Sequence, residues 1–104
     1  MSAADFETAV QRLLKQVGHW EAGRWHAQAK TGGTRGEAVF ALVQQLADQA
    51  ADAEQGRHRP VPRLADTVLP DQLRVMADDL LAANPGDDVL AAVTEAVTET
   101  RTRL

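Results

Sequence analysis

Residues 34–55 carry the longest uninterrupted helical pattern in the chain, with Val39, Phe40, Leu42, Val43, Leu46, Ala47, Ala50 and Ala53 at helical spacing. At roughly 1.5 Å per residue such a helix is about 30 Å long. Its apolar positions cover more than one narrow stripe, so at least two other helices are needed to remove them from water. Thr34 and Glu37 open it with capping-box spacing, and Gly56 is the expected stop. What the rest of the chain folds into is constrained by the need to cover this one element.

Three further amphipathic segments are available to do so. Ser2 and Asp5 cap a helix whose face is Phe6, Val10, Leu13, Leu14 and Val17. Pro70 suits a first helical position ahead of Leu73, Met76, Leu80 and Leu81, and Val89, Leu90, Val93, Ala96 and Val97 mark the last segment. Asn84 either ends the third helix or caps the fourth. The reading is all-α: a single domain over residues 1–104, a small four-helix bundle with helices at about 3–17, 35–55, 70–83 and 86–101 and two long ordered connections.

An up-and-down arrangement is the first expectation for the bundle, with an irregular orthogonal array, which both long connections permit, as the alternative. The connection over 57–69, however, opens Arg57-His58-Arg59-Pro60-Val61-Pro62-Arg63, and two prolines one residue apart favour an extended strap. At about 3.1 Å per residue it is long enough to cross the bundle. The 18–33 connection contains both tryptophans and two of the three histidines, and one short helical turn is expected within it.

Composition excludes more than it identifies. With no cysteine there is no disulfide framework, thiolate zinc site, iron–sulfur cluster or thiol nucleophile. Tyr is absent and Ser occurs only at Ser2, so nucleophilic schemes fall to Thr, Asp, Glu or Lys, and no motif marks any of them. No catalytic residue, metal or cofactor is assigned, and enzyme activity is not expected. Much of the 44% hydrophobic content is Ala, whose burial removes little surface.

The net charge of −4 argues against general affinity for nucleic acid or anionic membrane. A helix-turn-helix is not expected, since long connections separate the candidate helices and the third is acidic. No basic n-region or long apolar run is present, so a cytoplasmic setting with no membrane contact is expected.

Residues for a binding function concentrate in the connections. Trp20 and Trp25 serve either to plug the end of the bundle or to present a sticky surface, with Arg24 and His26 beside them. His19 and His26 are seven apart, but Gly23 between them weakens a metal reading. Lys30-Thr31-Gly32-Gly33-Thr34-Arg35 runs into a helix N-terminus, where an anion is favoured. The candidate ligand or partner site is therefore Trp20, Arg24, Trp25, His26, Lys30 and Arg35, with Arg57, Arg59 and Arg63 as a basic contact strap.

The leading functional expectation is a small module that binds another protein or itself, without chemistry of its own. A homodimer through the Ala/Val face of 89–97 is a secondary expectation. The alternative is a small-ligand or anion site in the 20–35 segment and the N-terminus of the second long helix.

Overall fold

The computed structural model describes residues 2–104 and contains α1 (Ala3–Val17), α2 (Ala22–His26), α3 (Arg35–Ala53), α4 (Leu69–Ala82) and α5 (Asp87–Arg103), with a 3-10 turn at Asp66–Val68. The four long helices are those predicted by the hydrophobic spacing, with α2 as the short turn inside the first connection.

The helix ends follow local chemistry, with two departures from expectation. Ser2 forms a full capping box: its hydroxyl accepts from the Asp5 amide at 3.1 Å, and the Asp5 carboxylate accepts from the Ser2 amide at 3.1 Å. These hydrogen bonds from Ser2, the backbone one foremost, hold the Asp5 carboxyl below its ordinary value. Thr34 likewise accepts from the Glu37 amide at 3.1 Å, but the box stays half-made, because the Glu37 carboxylate lies against Gly33. At the end of α3 the left-handed position is taken by Gln55 (φ 59°) and not by Gly56, whose amide donates back to Ala51 at 2.8 Å. Asn84 (φ 53°) ends α4, and Gly86 is the residue that precedes α5.

Long helices pack as a ring in which α1 meets α4, α4 meets α3, α3 meets α5, and α5 meets α1. Contacts along the elements give their directions. The strap runs back along the whole of α3: His58 meets Asp52, the Arg59 carbonyl and Val61 amide meet Gln44, Arg63 lies over Phe40, and Asp66 sits against Gly36. It therefore returns the chain to the start of α3 before α4 begins, and α4 runs parallel to α3. Consistent with this, Gln72 donates to the Pro62 carbonyl, while Met76, one turn further on, reaches the level of Ala47 and Ala51. The up-and-down expectation is corrected by that crossover. Arg101 donates to Gln16 at the far end of α1, making α1 and α5 a parallel pair too.

The core is one continuous cluster. Phe6, Val10, Leu13 and Val17 of α1, Val39, Val43 and Leu46 of α3, Leu69, Leu73, Ala77 and Leu80 of α4, and Val93 and Val97 of α5 are all inaccessible to solvent. The 89–97 face is thus spent inside this chain, against α1 and α3, and the expectation that it offers a dimer surface is corrected. Thr94 and Thr100 are buried beside it, their hydroxyls donating to the carbonyls of Leu90 (2.6 Å) and Ala96 (2.8 Å). Among the described residues no helix is long and apolar enough to cross a membrane.

Candidate functional site

The tryptophans plug the end of the bundle. Trp25 is fully buried and Trp20 nearly so, and their rings meet edge to face with centroids 5.0 Å apart at 71°. Two guanidiniums cover Trp20, Arg35 at 5.2 Å and Arg24 at 5.5 Å from the ring centroid. Arg35 also donates to the Arg24 carbonyl at 3.4 Å, so the cation serves the carbonyl end of α2. Among the described residues the buried indole N–H of Trp25 and Nε of Arg35 have no hydrogen-bond partner.

Lys30 and His26 do not join that cluster through their side chains. Both are exposed, and Lys30 is tied by its backbone amide to the Arg103 carbonyl at 2.8 Å. The glycine-containing turn folds back on itself: Arg35 donates to Ala27, Ala29 to Gly33, and Gly32 to Ala29. Positive φ at Gly32 (98°) and Gly33 (68°) makes this reversal possible. The amides of Ala29, Gly32 and Arg35 are thereby bonded to the chain's own carbonyls. A native carboxylate also lies beside the first turn of α3, for a Cβ at Gly36 would fall 2.5 Å from Asp66 Oδ1, and its charge opposes the approach of an anion there. The sequence pattern reveals the helix N-terminus, but not the acid thirty residues later that lies beside it.

The strap is where apolar and basic groups come together at the surface. A stripe of α3, Gln44, Asp48 and Asp52, holds it. Gln44 accepts from the Val61 amide at 2.8 Å and donates to the Arg59 carbonyl at 3.0 Å. His58 Nε2 lies 2.6 Å from Asp52, and Nδ1 lies 3.7 Å from Asp48. The Asp52 hydrogen bond, and after it the charges of Asp52 and Asp48, raise the His58 pKa above its ordinary 6.5. Arg63 bonds Asp66 at 2.5 Å and lies 4.9 Å from the Phe40 ring centroid. Arg63 is therefore a structural clamp, unlike Arg57 and Arg59.

Between strap and helices lies a dent of about 250 Å³. Its floor is Ala47, Ala51 and Met76, its wall Pro60, Val61 and Pro62, and its rim Arg57 and Arg59. Val61 is buried and anchors the wall, while the prolines hold it extended without needing ladder partners. Among the described residues, neither rim guanidinium makes an ion pair. The prolines and arginines of this dent were legible as a strap, but the small residues of α3 and the Met76 side chain that complete it were legible only as core positions.

Among the described residues no group of three or more His, Asp or Glu side chains is placed to hold a metal ion. No protein-family model, curated protein or solved structure matches the chain.

Proposed function

We propose that the chain is a small cytoplasmic helical module that acts by binding another protein or itself, with the strap face as its docking surface and no chemistry of its own. One observation supports this reading above the others: the dent between the strap and α3 and α4 has an apolar floor and two guanidiniums at its rim that, among the described residues, no carboxylate engages. Apolar floors with arginine at their edges are the composition of protein contact sites. The backbone around the dent is held by Gln44 and Val61, so a partner meets a surface already formed and loses little affinity to ordering it.

The test is a photoreactive residue at position 59, introduced in the cells that make the protein, with position 11 on the outward side of α1 as control. A discrete crosslinked species at 59 and none at 11 is the expected result. Equal, diffuse labelling at both positions removes the reading.

A second reading keeps an anion site at Arg24 and Arg35, both stacked on Trp20 and, among the described residues, both without a carboxylate partner. It predicts that phosphate raises the melting temperature by mass action and that Arg24→Ala with Arg35→Ala abolishes the rise. Against it stand the amides of Ala29, Gly32 and Arg35, each bonded to a carbonyl of the chain, and the Asp66 carboxylate beside the first turn of α3.

A further inference from the structure

We infer that the occupant of the dent is a second copy of this chain, and that the outward face of α4 around Val75 is what enters it. The inference rests on the reading of the strap face as a docking surface and names its partner. Val75 is 52% exposed, an apolar side chain standing out from a helix whose inward positions, Leu73, Ala77 and Leu80, are fully covered. Residues three and four apart on a helix are surface neighbours, so Asp71, Asp78 and Asp79 surround it. The one cation of α4, Arg74, is turned to Glu7 and Asp78 and neutralises neither Asp71 nor Asp79. The result is an apolar knob with an acidic surround. The dent is an apolar hollow with a basic rim, and the two carboxylates of the α3 stripe beneath the strap, Asp48 and Asp52, are engaged by His58. Knob and dent are complementary in shape class and in charge.

Their placement also suits closure. Val75 and Met76 are consecutive, so the knob and one part of the dent floor are separated by about 100° around α4 and lie side by side on the same surface. A two-fold axis between them puts the Val75 of each copy into the dent of the other, using both contacts twice and leaving no open end for further addition. The molecule measures 37 × 25 × 22 Å along its principal axes, and its broadest side has room for the ~800 Å² per partner of a standard interface.

The experiment is sedimentation velocity on the full chain, up to about 100 µM, where even weak specific dimers associate. Wild type is expected to dimerise, and Arg57→Glu with Arg59→Glu, or Asp71→Arg with Asp79→Arg, to raise the dimer dissociation constant by at least about 100-fold, because like charges then face each other. Mixed in equal amounts, the two variants are expected to restore a dimer containing one copy of each, since glutamate then meets arginine on one side and the native pairing remains on the other. All four positions are exposed, and unchanged helical circular dichroism establishes that the variants fold. Val75→Asp provides a second, independent dissociating change should either double variant lose its fold. A monomeric wild type, a dimer insensitive to these changes, or a mixture that stays monomeric overturns the inference. A monomer that still gives a discrete crosslink at position 59 to a different protein overturns the self-pairing alone, whereas a monomer with no crosslink removes the docking surface as well.

Discussion

Arg74 closes both terminal nitrogens of its guanidinium on the Glu7 carboxylate, Nη1 to Oε2 at 2.8 Å and Nη2 to Oε1 at 2.6 Å, tying α4 to α1 across sixty-seven residues of sequence. Nη2 also reaches Asp78 at 2.7 Å. The side chains of Arg74 and Glu7 are each 31% exposed, so solvent screens part of the attraction, yet the parallel two-bond geometry is the strong form of this pair. Arg74→Met is expected to lower stability by about 1 kcal/mol, and Arg74→Lys to recover only part of it, because an ammonium cannot offer the planar fork. Urea unfolding in low and high salt checks this: the difference between wild type and Arg74→Met should shrink as salt rises.

The same pair contributes to the acid limb of the stability profile. Arg74 hydrogen bonds foremost, with a smaller one from Gln11, hold the Glu7 carboxyl below its ordinary 4.5. A lowered carboxyl contributes stability above its unfolded value and loses it as pH falls through the lower folded value. Glu7→Gln is therefore expected to unfold with a smaller loss of stability than wild type between about pH 5 and pH 3, read from urea midpoints at each pH.

His58 works in the opposite direction. Its pKa is raised above 6.5, so its bond to Asp52 contributes fully below that value and fades as pH rises through the folded pKa. Amide exchange at Val61 and its neighbours in the strap is expected to quicken, beyond its intrinsic pH dependence, on going from about pH 6 to pH 8.5, and His58→Gln to remove that excess. An identical excess in wild type and variant would show that the imidazole does not hold the strap.

Gly36 gives a substitution whose sign reverses with context. In an open helix, Gly→Ala stabilises by about 1 kcal/mol. Here the added methyl meets Asp66 Oδ1 at 2.5 Å, Cγ at 2.7 Å and Oδ2 at 2.8 Å, so Gly36→Ala is expected to destabilise. In the Asp66→Ala background, which removes the obstacle together with the Arg63 bond, Gly36→Ala should become neutral or stabilising. The four proteins form a cycle, and a coupling near zero would refute the packing of carboxylate on glycine.

Trp25 is expected to tolerate Phe far better than Ala. Its indole N–H has no acceptor among the described residues, so Phe forfeits area but no hydrogen bond, whereas Ala opens a cavity and should cost about 3–5 kcal/mol. That is a large fraction of the ~5–15 kcal/mol typical of a domain. Equilibrium urea unfolding of the two variants measures the contrast.

The sequence discloses those parts of the fold that local chemistry decides. Ser2 with Asp5, the 3.6-residue spacing of Phe6 to Val17, and Pro70 ahead of Leu73 each act within a few residues of themselves, and each element forms where they place it. The arrangement of those elements was less legible. Whether the strap crosses depends on Gln44, an ordinary outward glutamine by its position, finding a carbonyl and an amide fifteen and seventeen residues away. Likewise 89–97 reads as a surface for a second copy until α1 is seen to need it, because an apolar stripe does not encode what covers it. For the candidate site, the arginines and tryptophans stood out by type. Their division into clamps (Arg35, Arg63) and free rim groups (Arg57, Arg59) follows only from rings and acids brought close by the tertiary fold.

The ring of contacts has a consequence for the order in which the protein can be made. Of the five described helices α1 is synthesised before the others, yet it packs against α5, the last of the five, and against α4, which follows the crossover. Until then Phe6, Val10, Leu13 and Val17 lack their full cover. The strap, α3 and α4 are thus available to pack on one another before α5 is made, whereas full cover of α1 arrives late, only once α5 has joined it.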